Sequence, residues 1–319
     1  MSRTYKGRTA LVTGGAGFVG RHLVPALLAG GARVRVLDNF MTSSRSALDP
    51  VRSRIELITG DIRDARAVRR AMRGVDAVFH LAAIRSVVKT VEDPFLAHDI
   101  NATGVLNLLE RACEARVRRF IFTSTSAVYG DALAARQRED GRLSPISPYG
   151  IAKLAAENYV RYYWLERRLP ATAVRIFNVY GPCQNPESRY SLVVPATLER
   201  LFRGEAPLIE GTGMQARDFV YIGDVVDALL AAWGRPRTYG EALNLGSGQA
   251  TSISRLMAEL SRLCGYKGRP RFGPQRPGDP ERTCADIAKT RRLLDWKPRV
   301  GLGEGLRRTV DWYRKEISQ

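Results

Sequence analysis

An α/β fold is predicted: a doubly wound parallel sheet with a smaller, partly discontinuous C-terminal domain. Three observations predict it. Apolar strand-like runs alternate with helix-spaced segments over the first half of the chain. A glycine-rich turn closes the first of those runs. After Gly181 the texture changes to Gly, Pro and short elements, from Gly181 to Gly213 and again from Gly265 to Pro280.

The elements follow in order. Thr9 to Thr13 is a short apolar strand ending in glycines, and Phe18 to Ala29 has helical spacing through Phe18, Leu23, Ala26 and Leu27. Arg33 to Leu37 is a second strand, with Val34 and Val36 on one face and Arg33 and Arg35 on the other. Ile55 to Thr59 is a third, Ala65 to Met72 a helix, and Ala77 to Leu81 the next strand. Leu96 to Ala115 reads as one long helix, with Ala102, Val105, Leu106 and Leu109 in register, followed by a strand at Phe120 to Thr123. A second long helix runs from about Tyr149 to Arg168, and Ala171 to Phe177 returns to the sheet. Repeated βαβ units of this kind make a parallel sheet. The expected division is residues 1–178 with about 219–245 for the sheet domain, and 179–218 with 246–319 for the smaller one.

The chain has 319 residues, 45% hydrophobic and 26% charged, which is the balance of an ordinary globular protein and not of a disordered one. No apolar run approaches the ~18 residues of a membrane span. The polar stretch Met1 to Arg8 does not read as a secretory signal, so a cytoplasmic protein is expected. Net charge is +18, from 50 basic and 32 acidic residues, but the mostly Arg charges are scattered without a run of five or more. A solvated surface that attracts small anions fits this better than nucleic-acid binding. Cys113, Cys183, Cys264 and Cys284 are far apart and only three His occur, so no metal site is expected and the thiols are taken as reduced.

The turn Thr13-Gly14-Gly15-Ala16-Gly17-Phe18-Val19-Gly20 lies between a strand and a helix. Glycines there let the backbone approach a pyrophosphate, and the helix N-terminus offers free N–H groups and a positive dipole end. Asp38 ends the second strand, 18 residues after Gly20. A carboxylate at that place accepts from ribose hydroxyls and repels an extra phosphate, which favours NAD over NADP. Gly14, Gly17 and Gly20 make GxxGxxG, a Rossmann-type fingerprint.

Tyr149 and Lys153 form Tyr-x-x-x-Lys, which puts both on one helix face. A free Tyr has a pKa of about 10, so a base working near pH 7 needs roughly three units of lowering, about 4 kcal/mol. A nearby ammonium and a positive nicotinamide ring are expected to supply it. Ser124-Thr125-Ser126-Ala127-Val128-Tyr129-Gly130 closes the central strand, where residues face the ligand crevice.

Taken together, these stretches resemble the extended short-chain dehydrogenase/reductases, from Gly14 to about Leu294, and among them the NAD-dependent sugar-nucleotide epimerases. The resemblance adds further assignments. In Gly60-Asp61-Ile62, Asp61 and Ile62 match the turn that contacts adenine. His80-Leu81-Ala82-Ala83 matches the strand end under the cofactor, so Leu81, Ala82 and Ala83 join the cofactor set, as do Asn39, Thr123 and Phe177. Asn101, in Asn-Ala-Thr-Gly, matches the family's structural and cofactor-side Asn. Thr125, three residues before Val128, is implied as the third catalytic residue, with Ser124 as its alternate. The family's dehydratases and decarboxylases carry an acid beside or just after that Thr; Ser126 and Ala127 stand here, which is the epimerase pattern.

On the substrate side, the resemblance implies that Arg217 and Arg276 clamp a diphosphate and that Asn178 contacts it. Arg85 and Ser86 join the substrate set. Thr283 occupies the place where a large Tyr narrows the sugar pocket in some members, so a Thr implies room for an N-acetyl group. Arg189 offers a charge for a C6 carboxylate. The implied activity is inversion at C4 of a UDP-hexose. A UDP-glucuronate 4-epimerase, another epimerase or reductase of the family, or an NAD-binding regulatory protein stay open as alternatives. A homodimer through helices 96–115 and 149–168 is also implied.

Overall fold

The structure is a computed structural model and describes residues 4–131, 134–184, 193–275 and 280–317. Strands β1 (Thr9–Thr13), β2 (Arg33–Asp38), β3 (Ile55–Thr59), β4 (Ala77–His80), β5 (Arg119–Thr125) and β6 (Ala171–Ile176) follow one another along the first half of the chain. Between and after them lie helices α1 (Phe18–Ala29), α2 (Ala65–Met72), α3 (Val87–Glu92), α4 (Pro94–His98), α5 (Gly104–Glu114) and α6 (Pro148–Arg167). The second half holds β7 (Asn178–Tyr180), α7 (Val193–Phe202), β8 (Leu208–Glu210), β9 (Ala216–Tyr221), α8 (Ile222–Trp233), β10 (Ala242–Leu245) and β11 (Ala250–Ser252). It ends with α9 (Ile253–Cys264), β12 (Arg271–Gly273), α10 (Ala288–Leu294) and α11 (Leu302–Ile317).

Seven parallel strands form the main sheet in the order β10-β6-β5-β4-β1-β2-β3. The order reverses between β1 and β4, and ligands of such sheets bind in the crevice at that reversal, beyond the carboxyl ends of the strands. β1 is buried at every position, as a strand covered on both faces must be. One face packs α1 and α8 through Leu23, Leu27, Leu229 and Trp233. The other packs α2, α5 and α6 through Val68, Met72, Leu108, Leu109, Ala156 and Val160. α2 shows why the sequence reads so directly. Its Ala67, Val68, Ala71 and Met72 are buried, its arginines lie outside, and Asp64 caps it.

The expected helix from Leu96 to Ala115 is not one regular helix. α4 and α5 are separated by a π-turn at Asp99–Thr103. The wider turn holds Asn101 where its side chain accepts from the Ile84 amide at 3.0 Å and donates to the Ile84 carbonyl at 2.8 Å. Gly104 follows because a Cβ there would lie 2.8 Å from the Ile62 side chain.

A second core, around Leu198, Ile209, Leu256, Leu260, Leu306 and Val310, sits among α7, α9 and α11. It rests on the small sheet β11-β9-β7 and the pair β12-β8. Of these, α7 lies inside the stretch Gly181 to Gly213, where the sequence suggests only short elements. Asp218 ties this region to the main sheet. Its buried carboxylate accepts from the Ser247 amide and hydroxyl and from the amides of Gly248 and Ala285, at 2.6–3.0 Å. Replacing Asp218 with Ala strands these donors. A loss of about 2–4 kcal/mol is expected, read as a lower midpoint in urea unfolding.

Candidate active site

The crevice starts at the glycine turn. Gly14 has φ +70°, and a Cβ on it would lie 2.7 Å from the Ala82 amide nitrogen. A Cβ on Gly20 would lie 2.4 Å from the Gly15 carbonyl. Only glycines let β1, α1 and the strand end at Ala82 come this close. Gly17 caps α1 with no side-chain hydrogen bond, so the first-turn amides, from Phe18 and Val19 onward, keep capacity for an anion.

Asp38 is more committed than the sequence suggests. Its Oδ2 accepts from the Ala16 amide at 2.9 Å, and its Oδ1 from the Phe40 amide at 2.8 Å and the Ser43 hydroxyl at 3.3 Å. The carboxylate therefore braces the glycine turn, and about one of its four lone-pair sites remains for a ribose hydroxyl. Beside it, Asn39 donates to Asp61 at 2.8 Å. Asp61 is held by Arg63, which lowers its carboxyl to about 2 and reaches on to Asp99 at 3.0 Å. Ile62 is buried under Gly104.

Leu81, Ala82 and Ala83 are half-buried along the crevice floor. The floor is pinned twice: Thr123 donates to the His80 carbonyl at 2.8 Å, and Asn101 grips Ile84. Phe177 is buried at the far side with Val128 and Tyr129. These groups fit a dinucleotide by their chemistry, with a braced glycine turn, a helix end open to phosphate and a strand-end carboxylate.

The candidate reacting groups expected from the sequence lie on α6. Ser147 caps the helix by accepting from Gly150, and Pro148 opens it. Tyr149, Lys153 and Glu157 then follow at one-turn steps along a single stripe. Tyr149 hydrogen-bonds Thr125. Lys153, 2% exposed, lies with its Nζ 4.2 Å from the centre of the Phe122 ring. Glu157 is buried against Arg175, whose Nε and NH2 donate to it at 3.1 and 2.8 Å. The strand register explains the rest: Ser124 shares the α6 face with Phe122, and its buried Oγ has no partner among the described residues. Thr125, not Ser124, bonds the phenol.

The sequence expects the Tyr149 phenol to be lowered by Lys153 and the positive nicotinamide ring together. In the protein's own groups alone, burial raises it above its ordinary 10.0, and the opposing influences are the hydrogen bond from Thr125 and the charge of Arg85. Lys153 shows why it contributes little: burial drops its own amine from 10.5 to about 7, against the upward pull of Glu157.

On the substrate side, Asn178 donates to the Asp218 carbonyl at 3.2 Å and to the Thr283 hydroxyl at 3.4 Å. Both side chains are thus partly engaged with each other. Arg217 is buried, donating to the Ala216 carbonyl at 2.8 Å. Ser86 caps α3 through the Lys89 amide. Arg85, between the pinned Ile84 and that cap, is exposed. Arg189 and Arg276 lie outside the described residues.

Four contributors were not singled out from sequence. Glu157 and Arg175 anchor α6; the only signal was their charge in otherwise apolar segments. Arg63 follows Asp61 directly. His80 is buried, neutral and stacked on Phe122 at 5.7 Å, with Nδ1 2.7 Å from the Thr13 hydroxyl.

The depressed amine has a consequence for stability. Between pH 7 and 10.5 the folded state binds fewer protons at Lys153 than the unfolded state, so its burial penalty is full at pH 7 and below and fades toward 10.5. Lys153→Met is expected to raise the melting temperature of cofactor-stripped protein most at low pH. Scanning fluorimetry from about pH 6 to about pH 10 checks it; a gain that grows with pH would contradict it.

Comparison with known proteins agrees with this geometry. The pattern of the NAD dependent epimerase/dehydratase family matches residues 10–246. UDP-glucose 4-epimerase from Mycolicibacterium smegmatis is 36% identical over 310 residues, covering 96% of this chain and 98% of that one. The crystal structure of UDP-glucose 4-epimerase with UDP-glucose from Thermotoga maritima superposes with a TM-score of 0.93 at 37% identity, over 97% and 99% of the two chains. That of UDP-glucuronic acid 4-epimerase from Bacillus cereus, in complex with UDP-glucuronic acid and NAD, gives 0.89 at 31% identity, over 97% and 99%. With the glycine turn, the crevice and the Tyr149–Lys153 stripe all in place, the chain belongs to the NAD-dependent epimerase/dehydratase family, and NAD is its cofactor.

Proposed function

We propose that the protein inverts C4 of a UDP-sugar through a 4-keto intermediate, with UDP-glucose and UDP-galactose as its substrate pair. One observation carries this reading. Tyr149 bonds Thr125 at the crevice end of β5, with Lys153 one turn behind, and the stretch Ser124 to Val128 holds no acid. Elimination of water or loss of carbon dioxide would call for a proton donor or acceptor beyond Tyr149, so oxidation and reduction at one carbon remain.

When bound, the nicotinamide ring supplies a hydride acceptor and donor for C4 and a positive charge near the phenol. Tyr149, as phenolate, takes the O4 proton through the Thr125 hydroxyl while C4 becomes a ketone. Arg217, with Arg276 in the same role, holds the diphosphate as the keto-sugar turns about its phosphate link. Tyr149 gives the proton back to O4 once C4 has been reduced from the opposite face. There is no net oxidation, so turnover requires no added cofactor. Thr283, small and buried beside Asn178, supports acceptance of N-acetylhexosamine sugars as well.

We also propose the two-domain division at about residues 178, 219 and 245 and a homodimer. Exposed Ile151, Tyr159, Tyr162 and Leu165 on α6, with Val91 and Phe95 (87% exposed) beside it, support the latter. Light scattering at micromolar concentration is expected to give twice the monomer mass.

Purified enzyme incubated with a panel of nucleotide sugars, without added cofactor, should epimerise UDP-glucose by NMR; no turnover of any UDP-sugar would refute the reading. UDP-GlcNAc left unchanged alongside active UDP-glucose would refute only the N-acetyl part. Tyr149→Phe should lower kcat by about 10²–10⁴-fold while NAD stays bound through gel filtration. Thr125→Val should lower kcat more than Ser124→Ala.

A further inference from the structure

The arginines that lie scattered along the sequence are gathered by the fold onto one pole. All strands of a parallel sheet begin at the same end, and here that end is opposite the crevice. Residues 4–8, 30–33, 52–54, 73–76, 115–118, 168–170 and 234–241 lead into the seven strands of the main sheet. They hold eleven basic and two acidic residues, and all eleven basic ones are exposed. Residues 14–17, 39–44, 60–64, 81–86, 126–147, 177 and 246–249, which lead out on the crevice side, hold five of each. The excess of positive charge therefore sits at the strand starts. Both acids there are engaged: Asp76 accepts from the Thr9 amide at 2.8 Å, and Glu241 pairs with Lys289 at 2.7 Å.

Arginines at this end have an ordinary use, because the helices run against the strands and finish here. Arg35 and Arg237 serve it: Arg35 donates to the Ala71 and Arg73 carbonyls at 2.8 and 2.7 Å, and Arg237 to the Leu293 carbonyl at 2.6 Å. Arg8, Arg54, Arg73, Arg116 and Arg168 do not. Their side chains make no hydrogen bond or ion pair among the described residues. Two of the five also occupy left-handed backbone, Arg116 at φ +53° and Arg168 at φ +54°, just past the ends of α5 and α6. Glycine is the residue that fits such a place without strain. β5 and β6 are paired, so the two strained arginines stand at adjacent strand starts. Neighbouring strands are about 4.8 Å apart, within the ~8 Å reach of a charge at physiological salt, so the row acts as one field.

We propose that this pole docks the protein on an anionic lipid surface, with the crevice facing away. The pole calls for a partner that is flat, negatively charged and in no need of apolar contact. None of the exposed large apolar side chains lies in these turns, so the buried anchor that a protein partner requires is missing. The aromatic rings here are taken: Tyr5 stacks on Trp233 at 4.3 Å, and Tyr239 packs on Trp164 at 5.4 Å. No ring is left to stack on a base, and strand starts and helix ends present no element that enters a groove. Phospholipid head groups require neither. Docking of this kind is electrostatic and reversible, and each arginine near the surface contributes about fivefold in affinity. It leaves the crevice open to diffusing ligands, whichever sugar nucleotide is turned over there.

The test is sedimentation with vesicles of phosphatidylcholine, plain or with about one-third phosphatidylglycerol, at about 0.1 M salt. The wild type is expected to sediment with the anionic vesicles alone and to leave them when salt is raised several-fold. Two triple variants should bind roughly 10- to 100-fold more weakly: Arg8→Gln with Arg116→Gly and Arg168→Gly, and Arg8→Gln with Arg54→Gln and Arg73→Gln. A control triple, Arg255→Gln with Arg262→Gln and Arg307→Gln, removes the same charge from the exposed sides of α9 and α11. It should bind within about twofold of the wild type. NAD retained through gel filtration and a kept melting temperature show that each variant folds. Failure of the wild type to bind anionic vesicles would overturn the inference. Equal loss in the control triple would overturn it too, by assigning the effect to net charge, as would unchanged binding in both pole variants. Tighter binding of a DNA or RNA duplex than of the vesicles at the same salt, lost in the pole variants, would give the pole to nucleic acid instead.

Discussion

The ion pair of Glu157 with Arg175 holds α6 against the sheet, and the chemistry hangs from that helix. Both partners are nearly inaccessible to water, and Arg175 also donates to the Tyr129 hydroxyl at 2.8 Å, which in turn donates to Asn244 at 2.7 Å. A pair so fully satisfied costs little to bury, whereas losing either partner would leave a charge stranded. Counting back by turns from Glu157, Lys153 falls over Phe122 and Tyr149 falls at the strand end beside Thr125. A slip of the helix by one residue would rotate the phenol about 100° away from the crevice.

The same logic governs the cofactor side. Asp38 braces the glycine turn, Asn101 and Thr123 pin the floor, and Arg63 fixes Asp61. Each is a polar group spent on holding its neighbours in place. A site built this way is rigid before ligand arrives, so binding does not have to order it. In the proposed reaction, flexibility is needed only by the keto-sugar, which turns over while its nucleotide stays fixed.

Much of this was legible in the sequence because parallel strands buried on both faces are short apolar runs, and glycines mark where they end. The strands Thr9–Thr13 and Ile55–Thr59 and the helices Phe18–Ala29 and Ala65–Met72 follow the pattern residue for residue. The Tyr149–Lys153 spacing fixed their shared face in advance. The π-turn at Asp99–Thr103 was hidden, since one extra residue in a helix leaves the apolar spacing on either side intact. Glu157 and Arg175 were hidden for another reason: charged residues ordinarily lie at the surface, and only the fold brings these two together inside. The effect of burial on Tyr149 was hidden because spacing reports neighbours and not burial. Among the protein's own groups, desolvation outweighs the nearby cations at Tyr149 and lowers the Lys153 amine as well.

That last point defines what the account stands on. The protein alone holds Tyr149 above its ordinary 10.0, so ionisation near neutral pH requires the positive nicotinamide ring. The direct test is an ultraviolet difference titration of wild type against Tyr149→Phe, in NAD-loaded and in stripped protein. The Tyr149 phenolate is predicted to appear well below pH 10 in the loaded form and above it in the stripped form. Titration above 10.0 in both forms would contradict the assignment of Tyr149 as the base.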